Sequence, residues 1–173
     1  VLFGGGRMRT LNLKIQGGLN LRPTIMVDGQ IIKYKKNKNQ TIDIVHQTEN
    51  DVVDILISNI LEVNGPLWWL IQPLFYIISL LGILNPRLEK TCYHISYHSK
   101  ITLKDEKTNL ILKFNQTKDG TRAIECAGNA NIEEFENKFS LDEQAKKRKK
   151  ILKFLYAGCW LLAILIAFLI VIL

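Results

Sequence analysis

Residues 146–173 read KKRKKILKFLYAGCWLLAILIAFLIVIL. From Leu155 to Leu173 the stretch is almost wholly apolar and carries no charge. A run of about 18 or more such residues is long enough to cross the roughly 30 Å hydrocarbon core of a bilayer as a helix. Lys146, Lys147, Arg148, Lys149 and Lys150 precede it, with Lys153 one turn further on. A basic flank of this kind favours the cytoplasmic side and attracts anionic lipid head groups, at about 1 kcal/mol per charge near the surface. The expectation is a transmembrane helix over 155–173 acting as a tail anchor, inserted late, with the bulk of the chain cytoplasmic. Residues 1–7 hold no apolar run long enough for a signal sequence and are set aside from the fold.

The remaining roughly 150 residues suit one domain. The net charge of +7 is not a nucleic-acid signal, because five of the 23 Lys and Arg residues fall in the single run beside the apolar helix. The others are interspersed with acidic residues, and no nucleic-acid-binding motif is present. The partners expected are therefore anionic membrane lipids and a membrane-protein partner or a second copy, not nucleic acid. Cys92, Cys126 and Cys159 are odd in number and widely spaced, which fits free thiols in a reducing compartment.

Period-two alternation dominates the middle of the chain. Leu11, Leu13 and Ile15 alternate with Asn12, Lys14 and Gln16. Strands are also expected at Thr24–Val27, Gln30–Tyr34, Thr41–His46, within Val52–Val63, at Thr91–Tyr97, Lys100–Lys104, Asn109–Asn115 and Thr121–Ala127. Asp28-Gly29 and Lys118-Asp119-Gly120 read as tight turns. Short strands at this spacing predict a mainly β fold, an antiparallel sandwich or small barrel, over 8–130. From Asn131 the pattern changes: Ile132, Phe135 and Phe139 fit one helix face. An amphipathic, basic juxtamembrane helix is expected over 131–154, with Ser140 and Glu143 forming a capping box at the start of its long continuation.

The β region is interrupted at 64–86 by a second apolar segment. Leu67–Leu84 reads LWWLIQPLFYIISLLGIL, without a charge. Pro66 suits a helix start, Pro86 a stop, and Pro73 should kink or break the helix between them. At about 27 Å its length is marginal for a span. A single span, a buried core helix and a broken helix or hairpin dipping into one leaflet all compete. The dip is favoured, because it keeps both β halves on one side and places Trp68, Trp69 and Tyr76 at the membrane interface, with Trp160 doing the same in the tail. Ala163 and Ala167 allow close helix packing.

Reactive constellations are weak. On a strand, Cys92, His94 and His98 would share a face, and His46 could join them, but spacing alone does not assign a metal. The carboxylates sit in turns or beside lysines. No nucleophile elbow, phosphate loop or dinucleotide motif occurs, so no catalytic residue and no cofactor is assigned. The expectation is a non-enzymatic accessory or adaptor subunit. The alternatives are a lipid-binding or remodelling module and, less favoured, a tethered metal-dependent enzyme.

Overall fold

The computed structural model describes residues 8–17, 21–35, 37, 39, 41–81, 92–115 and 118–172. Within them, the strands are β1 (Arg9–Gln16), β2 (Pro23–Val27), β3 (Gln30–Ile31), β4 (Thr41–Thr48), β5 (Val52–Asn59), β6 (Tyr93–Thr102), β7 (Lys107–Phe114), β8 (Ile124–Gly128) and β9 (Asn131–Leu141). The helices are α1 (Trp68–Leu80) and α2 (Glu143–Ile172). The chain divides into two compact units: a β unit of residues 1–60 and 93–141, and a helical unit of 61–92 and 142–173.

Alternation builds the β unit. Leu11, Leu13 and Ile15 of β1 turn inward and are fully buried, as are Leu110 and Leu112 of β7 and Ile42 of β4. The facing sheet contributes Ile25, Val27, Val53, Ile55, Ile57, Ile95, Tyr97, Ile101 and Phe139 to the same cluster. Each such aliphatic side chain contributes about 1.5–3 kcal/mol on burial. One sheet runs β4-β1-β7-β8 and the other β3-β2-β5-β6-β9. Two sheets sharing one core form a sandwich. All pairings are antiparallel except β1 with β7, which is parallel, with Leu13 opposite Leu110. Chain delivery explains this departure from a purely antiparallel fold: the β6–β7 turn ends where β1 begins, with Thr10 N donating to Glu106 O at 2.8 Å.

The turn between β2 and β3 is the one expected at Asp28-Gly29. Both residues have positive φ, +48° and +75°, as a two-residue hairpin turn of type I′ requires.

Three readings of the sequence are corrected within this unit. First, residues 131–141 are a strand, not the start of a helix. Opposite β6, His98 pairs with Glu136 while Ser99 pairs with Glu134, so Phe135 is an extra, bulged residue. Ile132 and Phe139 belong to a period-two face, and the bulge turns the half-exposed Phe135 outward, over His98 at 5.1 Å. One inserted residue converts alternation into an apparent helical spacing. Second, β6 is one strand of ten residues rather than two. Its inward series Ile95, Tyr97, Ser99, Ile101 passes through a fully buried serine, which resembles a turn residue in sequence. Third, Ser140 lies in β9 opposite His94, so it cannot cap the helix. Asp142 does so: its Oδ1 accepts the backbone N–H of Ala145 at 2.8 Å. Glu143 instead pairs with Lys146 at 3.2 Å.

β5 and β6 pair over Val52–Ser58 against Ser96–Thr102, and Asn59 Nδ2 donates to Tyr93 O at 3.1 Å. The chain thus leaves the sheet after β5 and returns beside its point of exit. That removes the single-span reading of 67–84, which would separate these strands across a bilayer.

In the helical unit, α1 is one continuous helix that includes Pro73, so the expected break or hairpin at Pro73 does not occur. Proline removes one backbone bond inside a helix. Here α1 is held against α2 on both sides of that defect, by Trp68 before it and Tyr76 after it. Its 13 residues make about 20 Å, short of a bilayer. The sequence beyond Leu81 as far as Thr91, including Pro86, lies outside the described residues. α2 has 30 residues, and it is the one described helix long and apolar enough to cross a membrane.

Candidate membrane-facing site

Each helix offers two kinds of face. On α1, Trp68, Gln72 and Tyr76 recur every fourth residue and so lie on one side. Trp69, Leu70, Leu74, Ile77 and Leu81 are half or more exposed. On α2, Ala145 and Leu152 are buried, Arg148 and Tyr156 follow the same side, and apart from Tyr156 the residues from Phe154 to Ile170 are exposed.

The buried sides meet in a polar–aromatic seam. At its upper end, Arg148 Nη1 donates to Val63 O at 2.9 Å, and the guanidinium stands 5.2 Å above the Trp68 ring. That geometry suits a cation over an indole face. Asn64 Nδ2 donates to the capping carboxylate of Asp142. Leu61, Val63, Ala145 and Leu152, with Trp68, Cys92 and Tyr156, form a small apolar cluster. Further down, Tyr156 donates its hydroxyl to Gln72 O at 3.2 Å. The Tyr76 and Tyr156 rings stack at 3.9 Å and 12°, and Trp160 Nε1 donates to the Tyr76 hydroxyl at 2.7 Å. Below that, Tyr76, Ile77, Leu80, Cys159, Trp160 and Ala163 line a shallow apolar cleft.

Of the four aromatic residues expected at an interface, the seam brings together Trp68, Tyr76 and Trp160; Trp69 points outward. Tyr156 was missed, although its place one turn before Trp160 at the head of an apolar run was the available signal. Ala163 lines the cleft, whereas Ala167 is exposed. In the basic run, Lys146, Lys147 and Lys150 are exposed and Lys149 is half-buried. Arg148 has a different task from the lysines, since it ties the turn before α1 to α2.

The β unit's reactive groups pair among themselves. His46 Nε2 lies 3.1 Å from Asp28 Oδ2, and His98 Nε2 lies 2.8 Å from Asp54 Oδ1. The two carboxylate residues are joined through the backbone: Asp54 N donates to Asp28 Oδ1 and Asp28 N to Asp54 O. Among the described residues, no three His, Cys, Asp or Glu side chains converge as metal ligands would. Cys92, His94, His98 and His46 are therefore not assembled into one group.

A second cluster, invisible in the sequence, links β8 with β9. Arg122 Nη2 donates to both carboxylate oxygens of Glu134 at 2.6 Å. Cys126 Sγ is 3.0 Å from the Tyr97 hydroxyl and 3.6 Å from Glu134. Burial pushes the Cys126 thiol up, and the Glu134 carboxylate adds to the effect. Burial and the bond to Cys126 push the Tyr97 phenol well above its ordinary range. Burial also opposes ionisation of Glu134, but Arg122 and Asn137 outweigh it and hold this carboxyl below the usual range. A thiol kept protonated in this way is a poor nucleophile. Asn137 completes the join: its Oδ1 accepts from Ala123 N and Ile124 N, and its Nδ2 donates to Ile124 O at 2.7 Å. One side chain thereby satisfies backbone groups where edge strands of the two sheets approach.

Comparison with family models, with curated proteins and with solved structures finds no match to this chain.

Proposed function

We propose that the chain is a non-enzymatic accessory or adaptor subunit of a membrane complex, anchored by α2, with its β-sandwich at the cytoplasmic face available to a protein partner. The observation that carries this reading is the apolar outward surface of a seamed helix pair. It occurs in a chain whose sandwich ties its His46, His98, Cys126 and Glu134 into internal pairs. The basic flank of α2 supports the cytoplasmic orientation, since such flanks favour that side. Extraction from native membranes in a mild detergent tests it. The expected result is a discrete assembly containing a second protein in fixed ratio, together with protease access to the sandwich from the cytoplasmic side only. A chain that emerges alone overturns the reading.

Direct lipid binding or remodelling is the second reading. The outward Trp69 and the exposed Lys146, Lys147 and Lys150 favour it. It requires the purified chain to deform or leak anionic vesicles, with Trp69→Ala weakening the effect; vesicles left intact by the wild type dismiss it.

A further inference from the structure

The two seam bonds that cross between α1 and α2 deeper than the basic run have the same sequence offset. Tyr156 reaches Gln72 and Trp160 reaches Tyr76, each 84 positions apart. A constant offset of one sign means the helices run parallel, side by side, in a fixed register. The register assigns every α1 residue a level on α2. Trp68 lies at the basic collar, beneath Arg148. Leu81 (81 + 84 = 165) lies level with Leu165. Leu165 is about 18 Å along α2 from Lys153, near the middle of a hydrocarbon core of roughly 30 Å.

We propose that α1 is a half-membrane helix: it enters the leaflet on the side of the basic collar, lays its outward face among acyl chains, and ends near the bilayer midplane. The inference rests on α2 being the anchor, and three observations on α1 itself support it. The outward face of α1 is continuous with the open apolar surface of α2 at the same levels. The start of α1 coincides with the collar, where charge meets head groups. Three polar side chains at depth are turned onto neighbouring acceptors: Ser79 Oγ donates to Tyr76 O, the Tyr156 hydroxyl to the backbone O of Gln72, and Trp160 Nε1 to Tyr76; the buried Gln72 Nε2 has no such partner among the described residues. A hydrocarbon surround favours such internal pairing, because it offers no water to polar groups. In water the same face would leave Leu70, Leu74, Ile77 and Leu81 uncovered with nothing gained.

The experiment is depth-dependent quenching in phospholipid vesicles, using the full chain and lipids brominated either near the head group or near the chain end. In a Trp68→Phe, Trp69→Phe, Trp160→Phe background, Leu81→Trp and Leu165→Trp are compared with a chain that keeps Trp69 alone. The expected result is that both introduced tryptophans lose more fluorescence to the deep quencher than to the shallow one. Trp69 should show the reverse. If Leu165→Trp is quenched at depth while Leu81→Trp is not, the half-membrane helix is overturned and the anchor stands. If neither is quenched at depth, both fall. Wild-type chain labelled by a photoreactive group midway along a phospholipid tail provides the check that needs no substitution. Adducts on 74–81 and on 161–166 together support the proposal; adducts on 161–166 alone overturn it. Neither result depends on whether a partner protein co-purifies.

Discussion

In the sandwich, Leu13, Ile55 and Ile101 are buried to 1% or less, and their sequence neighbours Lys14, Asp54 and Lys100 face outward. In the helical unit, Leu74, Ile77 and Leu165 stand half exposed, at 51, 50 and 58%, while the most deeply sequestered α1 side chain is the polar Gln72, at 2%. The first arrangement is what water selects: apolar atoms in, charge out. The second is what a hydrocarbon surround would favour on the outward side, because there an apolar face costs nothing; the buried Gln72 Nε2 stays without a partner among the described residues. One chain holds both arrangements, and each can be tested separately.

The largest effect should come from breaking the second arrangement where it is most apolar. Leu162→Arg with Leu165→Arg places two charges mid-helix, each costing about 2.5–3.5 kcal/mol on insertion scales. The double variant should move from the membrane pellet to the alkaline-extracted supernatant. The sandwich's melting transition should be unchanged. A variant that stays in the pellet would show that α2 is not the anchor.

Next in size is a matched pair of truncations. Ile55→Ala deletes a buried side chain that contacts both sheets' shared core and should cost about 2–5 kcal/mol. Leu74→Ala deletes an apolar side chain of similar size from the open face of α1 and should stay within about 0.5 kcal/mol. Urea unfolding of the detergent-solubilised chain, followed by circular dichroism, reads both. Equal losses would mean that Leu74 is covered within the fold and would dissolve the contrast.

A smaller loss should follow from Gly128→Ala. A Cβ at Gly128 would stand 2.2 Å from Asn109 O, within the β7–β8 ladder. Backbone cannot yield as a flexible side chain can, so about 1–3 kcal/mol is expected. The same substitution at Gly158 of α2, where nothing lies within 4 Å, should leave unfolding unaffected or slightly improve it. Measured together, the two glycines repeat the comparison at the scale of one methyl group.

Much of this division was legible in the chain. Alternation found the strands because the core takes every second residue. The uncharged run after Lys153 marked α2 because no sandwich face could absorb it. Asp28-Gly29 announced its turn through the one backbone conformation that favours it. The failures have local causes. Phe135 is a bulge, and a bulge erases the period that identifies a strand. Ser99 is buried in mid-strand, so β6 read as two pieces. Pro73 ends helices on average, but packing against Tyr156 and Arg148 overrides an intrinsic preference of about 3 kcal/mol. The seam was half visible, as tryptophans and tyrosines near a charge boundary. Its register was not, because pairing between residues 84 apart leaves no mark on local pattern. The Arg122, Cys126, Glu134 and Asn137 join was invisible for the same reason: its members come from separate strands and look like ordinary surface residues one at a time.

The smallest effect concerns that join, and its sign differs at the two ends of the pH scale. Glu134 has a folded-state pKa below its unfolded value, so its contribution is present above about pH 4.3 and is lost as pH falls through the folded value. Cys126 is shifted the other way. Above about pH 8.5 the unfolded chain releases the thiol proton while the folded chain keeps it. The unfolded state then binds fewer protons, so stability falls as pH rises. Tyr97 should extend that loss above about pH 10. Arg122→Gln should flatten the acid arm, and raised salt should do part of the same, because the Arg122 and Glu134 side chains are 57% and 24% exposed and partly screened. Cys126→Ala should flatten the alkaline arm between about pH 8.5 and 10 and leave the acid arm alone. Urea midpoints across pH for the wild type and both variants read these slopes. An alkaline arm unchanged in Cys126→Ala would mean that the thiol ionises as freely in the fold as out of it. The join would then be open to solvent, and the β8–β9 side of the sandwich would be sorted less strictly by water than Leu13 and Ile55 are.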